Sequence, residues 1–62
     1  MIRPGDLVII AAFDEVPEHL FRIEAVLEDH VTGVALTGPL AGSYGEPARA
    51  LVVKVLGAQG SQ

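Results

Sequence analysis

The sequence has no cysteine and no tryptophan, and only one tyrosine and two phenylalanines among its 62 residues. Without cysteine, neither a disulfide framework nor a thiolate metal site can stabilise the fold. Basic residues are also scarce. The sequence has four Lys and Arg residues and eight Asp and Glu residues, which gives a formal net charge of −4. Nucleic-acid binding depends largely on neutralising phosphates, so this balance disfavours nucleic acids and anionic membrane surfaces as partners.

Long apolar stretches are missing as well. The longest uninterrupted apolar run, residues 7–13, is far too short to span a bilayer. The first residues, MIRPGD, are polar and interrupted by Pro4 and Gly5, which is unlike a secretory signal peptide. We therefore expect a soluble, cytoplasmic protein that carries no cofactor.

The chain is nevertheless apolar for its size, because half of its residues are hydrophobic. A domain of this length buries only about 60% of the surface of its unfolded chain. We expect one domain over residues 1–56, followed by a disordered tail over residues 57–62. Some apolar surface should remain outside the core and face a partner, either a second copy or another protein.

The longest regular pattern covers residues 20–36, which read LFRIEAVLEDHVTGVAL. Two apolar runs meet there at a polar turn, residues 28–30, and this arrangement predicts a β-hairpin. In an extended chain one face of the first strand carries Phe21, Ile23, Ala25 and Leu27. Small residues at Gly33 and Ala35 allow another strand to approach closely. The first run also contains good helix formers, but the β-branched residues and glycines of the second run favour strands.

The remaining segments predict further short strands. Residues 3–6, RPGD, indicate a tight turn before a first strand over residues 7–13. Residues 14–19 form an acidic loop. Residues 37–47 hold three glycines and two prolines, which indicates a structured loop rather than a strand or helix. Residues 48–56 then predict a short strand or a single helical turn, with a last strand near residues 52–56.

The RPGD turn that leads at once into LVII resembles the start of many SH3-like barrels. The order of short strand, acidic loop, long hairpin, Gly/Pro loop and closing strand is similar too, and it covers most of residues 2–56. The resemblance implies an all-β fold, a small SH3-like barrel of four to five short antiparallel strands. It does not extend to proline-motif binding, because the aromatic groove of peptide-binding SH3 domains needs aromatic residues that this sequence lacks. Several small proteins of this fold act as accessory or docking subunits.

The only histidines, His19 and His30, each follow an acidic residue. One interpretation is a divalent-metal site completed by Asp14, Glu15 or Glu28, since imidazole and carboxylate together suit zinc. The alternative is two solvated turn histidines, which we favour because their spacing matches no ligand signature.

The loop over residues 38–47 is the best candidate for a contact surface. It carries Leu40 and Tyr44, and large apolar side chains are unusual on an irregular segment; tyrosine is favoured at interfaces. Alternatively, these two side chains fold back and close one end of the barrel. Arg49 is expected to pair with Glu46 or with the acidic loops. The predicted partner-binding residues are Leu40, Tyr44, Glu46 and Arg49.

No catalytic residues are predicted. Ser43 lies in a Gly-Ser-Tyr-Gly run, but the strand-to-helix context of a nucleophile turn is missing. We therefore expect no enzyme and favour a non-catalytic protein-interaction module, either an accessory subunit or a homo-oligomer. A small-ligand or metal-binding module is the second hypothesis. A nucleic-acid-binding barrel is the third, and the net charge opposes it.

Overall fold

The computed structural model describes residues 2–58 and contains one five-stranded antiparallel sheet. Its strands are β1 (Asp6–Ile10), β2 (His19–Val26), β3 (Val31–Ala35), β4 (Tyr44–Gly45) and β5 (Val52–Ala58). They are ordered β4-β3-β2-β1-β5 across the sheet. A single 3-10 turn, Arg49–Leu51, precedes β5, and residues 2–58 contain no α-helix. The predicted all-β class with four to five antiparallel strands is confirmed.

The predicted turn before β1 is confirmed, and its hydrogen bonds explain why it forms. The backbone N–H of Arg3 donates to Oδ2 of Asp6 at 2.9 Å, while the N–H of Asp6 donates to the Arg3 carbonyl oxygen at 3.1 Å. Gly5 adopts φ +93°, a conformation that glycine reaches without steric cost. Asp6 is buried, and the bond from the Arg3 N–H gives its carboxylate a partner.

The hairpin is also confirmed, with β2 and β3 paired from Phe21 opposite Ala35 to Val26 opposite Val31. Its predicted inner face is wrong beyond Ile23. A β-bulge between Ile23 and Ala25 shifts the register, and an extra residue moves the following side chains to the opposite face. Val26 therefore packs against the core, whereas Leu27 is 42% exposed.

The core comes from alternating positions of the three central strands. Each strand contributes two buried hydrophobic residues: Val8 and Ile10, Phe21 and Ile23, and Val31 and Ala35. The chain outside these strands covers them with partly buried side chains, which include Ile2, Phe13, Leu51 and Val52. A core this small leaves many apolar residues at the surface, as the composition predicts.

Gly33 marks the closest approach within the hairpin, as its size predicts. A Cβ atom at this position would overlap the carbonyl oxygen of Arg22 and would lie 2.8 Å from a ring carbon of Phe21. Any side chain here would therefore collide with the neighbouring strand and with the centre of the core.

The other strand boundaries differ from the sequence predictions. The first strand ends at Ile10 rather than at residue 13. The N–H of Ala11 bonds the Leu51 carbonyl oxygen, and Phe13 forms a separate bridge with Val16. In the Gly/Pro loop, Tyr44 pairs with Val34 and so creates the short strand β4.

The last strand is longer than predicted. β5 includes Gly57 and Ala58, two residues assigned to the disordered tail; the rest of that tail, residues 59–62, lies outside the described residues. Two register shifts along β1 leave Val53 and Leu56 as extra residues between paired positions. Gly57 follows the extra residue Leu56 and takes φ +102°, a conformation that residues with a side chain rarely adopt. Glycine at this position therefore lets the strand continue past the register shift.

Candidate functional site

A groove of about 240 Å³ lies between the loop before β2, the centre of the sheet and the segment around β4. We term it the β4 groove. Its walls are mainly apolar and aromatic, with side chains of Phe13, Phe21, Ala35, Leu40, Tyr44 and Pro47. His19, Ser43 and Glu46 supply the polar side chains of its lining.

His19 is the most unusual residue of this groove, because its side chain is polar and only 6% exposed. The ring lies between Phe13 and Phe21, with a centroid separation of 6.4 Å from each. Its Nδ1 lies 2.9 Å from the carbonyl oxygen of Pro17. A carbonyl can only accept, so Nδ1 carries the hydrogen, and in the neutral ring Nε2 is then an acceptor.

No group in residues 2–58 hydrogen-bonds Nε2 of His19, and the same residues contain no fully buried side-chain nitrogen or oxygen without a partner. Nε2 therefore keeps some access to solvent, and His19 borders open space along the β4 groove. His19 thus lines the groove and has one ring nitrogen, Nε2, that no group of the described residues hydrogen-bonds.

Tyr44 and Glu46 form the rim of the groove. The phenol of Tyr44 donates a 2.9 Å hydrogen bond to Oε2 of Glu46, while 60% of the tyrosine remains exposed. The bond favours the neutral phenol, so it raises the pKa of Tyr44 above the usual value of 10.0. Leu40 lies on the same wall and is also exposed. Neither Leu40 nor Tyr44 is folded into the core.

The Tyr44–Glu46 bond can be tested directly, because Tyr44 is the only tyrosine and no tryptophan overlaps its absorbance. Replacing Glu46 with glutamine is expected to lower the pKa of Tyr44, since an amide accepts the phenolic hydrogen more weakly than a carboxylate and carries no charge that repels the phenolate. The measurement is the phenolate absorbance in an alkaline titration. Glu28→Gln, an exposed change in the hairpin turn, should leave the titration unchanged. An unaltered midpoint in Glu46→Gln would show that this bond does not form.

Three of the four predicted partner-binding residues, Leu40, Tyr44 and Glu46, meet at the groove. Arg49 does not line it. The Arg49 guanidinium donates to the Leu27 carbonyl oxygen at 3.2 Å, and its backbone N–H donates to the Asp29 carbonyl oxygen at 3.0 Å. In the described part of the chain, Arg49 therefore contacts backbone atoms of the acidic turn and forms no ion pair with Glu46.

The two histidines lie toward opposite ends of β2. His19 is its first residue, and His30 lies four residues beyond its last residue, Val26. Nδ1 of His30 lies 2.7 Å from Oδ1 of Asp29, and this hydrogen bond lowers the pKa of the Asp29 carboxyl. Residues 2–58 contain no group of three or more side chains suited to hold a metal ion.

Sequence reasoning missed the role of His19, which was assigned to a solvated turn. The alternation of side chains along a strand could have revealed this position. His19 lies two residues before Phe21 and four before Ile23, so all three side chains point to the buried face of β2. Phe13 was also missed, since it was placed in the first strand rather than in a loop. Its contribution depends on how that loop folds back over the sheet.

A second exposed surface lies on β5. Val53, Val55 and Leu56 are large hydrophobic residues that remain 56%, 43% and 49% exposed, and we term them the β5 patch. β5 pairs only with β1, so it forms one edge of the sheet. Its single charged residue is Lys54.

Comparisons with protein-family models, with curated proteins and with solved structures find no match to this chain. The described residues contain no helix that is long and apolar enough to cross a membrane. The β4 groove and the β5 patch are the candidate binding surfaces of the described residues.

Proposed function

We propose that this chain is a non-catalytic protein-interaction module, an accessory or docking subunit that binds a segment of a partner protein in the β4 groove. One observation carries the proposal. Exposed Leu40 and Tyr44 converge with buried His19, so that an apolar trough contains an oriented polar acceptor. Binding sites on proteins typically combine such apolar walls with a few placed polar groups.

The size of the groove favours a protein segment over a free substrate. Pockets for drug-sized ligands usually measure about 300–1,000 Å³, and this groove of about 240 Å³ is smaller. It has room for one bulky side chain of a longer segment that continues across the surface. Tyr44 suits such a contact, because tyrosine provides rigid apolar area and a polar group at low entropic cost.

The polar groups of the groove also favour binding over catalysis. A serine hydrolase needs a hydrogen bond between the nucleophile and its base, but Ser43 has no such bond to His19 in residues 2–58. The carboxylate of Glu46 accepts a hydrogen bond from the Tyr44 hydroxyl at the rim of the groove. The net charge of −4 argues against nucleic acid as the partner.

Selection of displayed linear peptides on the purified protein tests the proposal. We expect bound peptides to shift the NMR resonances of His19, Leu40 and Tyr44. Replacing Tyr44 with alanine should weaken them about tenfold or more, the typical loss at an aromatic hot spot, and should leave the fold intact because the side chain is largely exposed.

Leu27→Ala is the control for Tyr44→Ala, since Leu27 is also a large exposed hydrophobic residue but lies at the hairpin turn and does not line the groove. Its affinity for the peptides should equal that of the unaltered protein. Peptides that shift only resonances outside the groove would refute the proposal. Global unfolding by Tyr44→Ala would also refute it, because Tyr44 would then be part of the core.

We further propose that the sheet curves into a small SH3-like barrel. Two features support this. The bulge in β2 bends the longest strand, and the side chains of Leu51 and Val52 pack against the core that β1, β2 and β3 build. Nuclear Overhauser contacts between Leu51 and Val31 methyl groups are expected in a closed barrel. An open sheet would give contacts only between neighbouring strands.

Self-association is a second candidate function, and the β5 patch favours it. Exposed apolar patches of this kind commonly mark interaction sites. Two copies related by a two-fold axis would bury both patches at once. An antiparallel arrangement centred on Val55 places Lys54 opposite Leu56 of the second copy, so like charges do not face each other. The register shifts in β5 make side-chain packing, rather than an extended ladder, the main contact.

Replacing Val55 with lysine is expected to abolish self-association, because the change places an unpaired charge at the centre of the apolar contact. The measurement is the solution mass by light scattering across a dilution series. Leu27→Lys is the control, since Leu27 is 42% exposed and Val55 43% exposed. A monomer for the unaltered protein at all concentrations would rule out this second function.

A further inference from the structure

We infer that the β4 groove recognises a tryptophan side chain of the partner and that His19 accepts a hydrogen bond from the indole N–H. This inference rests on the proposed protein-interaction function and specifies the ligand. It starts from the one buried polar side chain of the groove, His19, whose Nε2 has no hydrogen-bond partner in residues 2–58.

The surroundings of His19 determine what kind of donor fits. The ring is held between Phe13 and Phe21 and is only 6% exposed. A cationic donor at this depth would lose its hydration among apolar walls, which is costly unless a counter-charge lies next to it. The nearby carboxylate of Glu46 lies at the rim and already accepts the Tyr44 hydroxyl. A neutral donor is therefore favoured.

Nδ1 of His19 also fixes the polarity of the contact. Because Nδ1 donates to the Pro17 carbonyl oxygen, the neutral ring presents an acceptor at Nε2 and no donor. The indole of tryptophan has one N–H donor and no acceptor, so it matches this site and leaves no polar atom of its own unpaired. An amide or carboxylate side chain would bring acceptors that the apolar walls cannot satisfy.

The aromatic walls favour the same side chain. Phe13, Phe21 and Tyr44 border the groove, and aromatic pairs gain about 0.5–1.5 kcal/mol beyond simple burial when they stack offset or meet edge to face. A groove of about 240 Å³ is suited to one large flat ring. This chain has no tryptophan, so the residue must come from a partner that is not a second copy.

Three capped amino acids test the inference: N-acetyl-tryptophanamide, its 3-benzothienylalanine analogue and N-acetyl-tyrosinamide. The analogue keeps the shape of indole and replaces the N–H with sulfur, so it removes only the donor. Binding is followed by the NMR shifts of His19 and Tyr44. Tryptophan fluorescence gives an independent readout, because the protein contributes none of its own.

We expect the tryptophan derivative to bind about two- to tenfold more tightly than the analogue, the range that one neutral hydrogen bond provides. The Nε2 resonance of His19 should shift further with the tryptophan derivative than with the analogue, because only the tryptophan derivative donates a hydrogen bond to it. Tyr44→Ala should weaken both ligands equally, since it removes stacking area and leaves the donor contact intact.

Equal affinities for the tryptophan derivative and its analogue, or tighter binding of the tyrosine derivative, would overturn the tryptophan assignment. The protein-interaction function would stand if displayed peptides still bound in the groove. Failure of all three derivatives while such peptides bind would also overturn the assignment alone. Failure of both the derivatives and the peptides would overturn both proposals.

Discussion

Replacing Gly33 with alanine is expected to destabilise the fold by about 3 kcal/mol or more, at the upper end of the effects of overpacking. The new Cβ would overlap the Arg22 carbonyl oxygen and approach the Phe21 ring to 2.8 Å. The carbonyl cannot move aside, because it belongs to the strand that pairs with β3. A 62-residue domain has a total stability of about 3–9 kcal/mol, so this one methyl group removes much of it.

Gly45→Ala is the control for this substitution. Gly45 also lies in a strand of the same sheet and pairs with Gly33, but the nearest atom to its added Cβ would be 3.8 Å away, an ordinary contact. Chemical denaturation of both variants, followed by far-ultraviolet circular dichroism, measures the two free energies of unfolding. Equal stabilities for the two variants would show that β2 and β3 do not approach each other as closely as described.

Replacing Phe21 with alanine is expected to lower the free energy of unfolding by about 3–5 kcal/mol, the usual loss for a buried aromatic residue. Phe21 is 2% exposed and is the largest of the fully buried side chains. Its removal would open a cavity at the centre of the six-residue core, where β1, β2 and β3 meet. The same denaturation measurement checks this value.

Tyr44→Ala provides the contrast, because it also removes an aromatic ring but from an exposed position. Its free energy of unfolding should stay within about 0.5 kcal/mol of that of the unaltered protein, as for most surface substitutions. A large loss of unfolding free energy for Tyr44→Ala, together with a small loss for Phe21→Ala, would show that Tyr44 is buried and Phe21 is not. This result would contradict both the described core and the described groove.

Phe21 also links the stability of the fold to the proposed function. The ring belongs to the core and at the same time lines the β4 groove, next to His19 on the same strand. The floor of the groove is therefore built on a paired strand rather than on a loop, which holds the acceptor of His19 in a defined position. Phe21→Leu should keep the domain folded and weaken tryptophan binding, because the aromatic contact is lost.

The hairpin and its turn were predictable from the sequence. Alternation of apolar and polar residues determines which side chains of an extended chain share a face, and this rule placed Phe21 and Ile23 correctly. The turn before β1 followed from the backbone preferences of Pro4 and Gly5. The close approach at Gly33 followed from the absence of a side chain. These features depend on the types of residues that are close together in the sequence, so they can be read without knowledge of the tertiary structure.

The candidate site was predictable only in part. Leu40 and Tyr44 were proposed because large apolar and amphipathic side chains stood out on an irregular loop, and Glu46 was proposed as a pairing partner of Arg49. Arg49 does not line the groove, and its side chain contacts a carbonyl oxygen of the hairpin turn, a backbone atom that no side-chain pattern reveals. The exposure of β5 was equally hidden, because an apolar strand at an edge has the same composition as one in the centre of a sheet.

The sequence by itself determined the all-β class, the β2–β3 hairpin, the turn before β1, and the small size and acidic charge of this protein. Only the tertiary structure decided that His19 is buried, that its Nδ1 is bonded to Pro17, and that its ring meets the loop carrying Leu40 and Tyr44. The physical reason is one of range. Strand formation follows from adjacent residues, whereas a groove needs side chains from distant segments, and their meeting depends on the pairing of β2 with β3 and of β3 with β4.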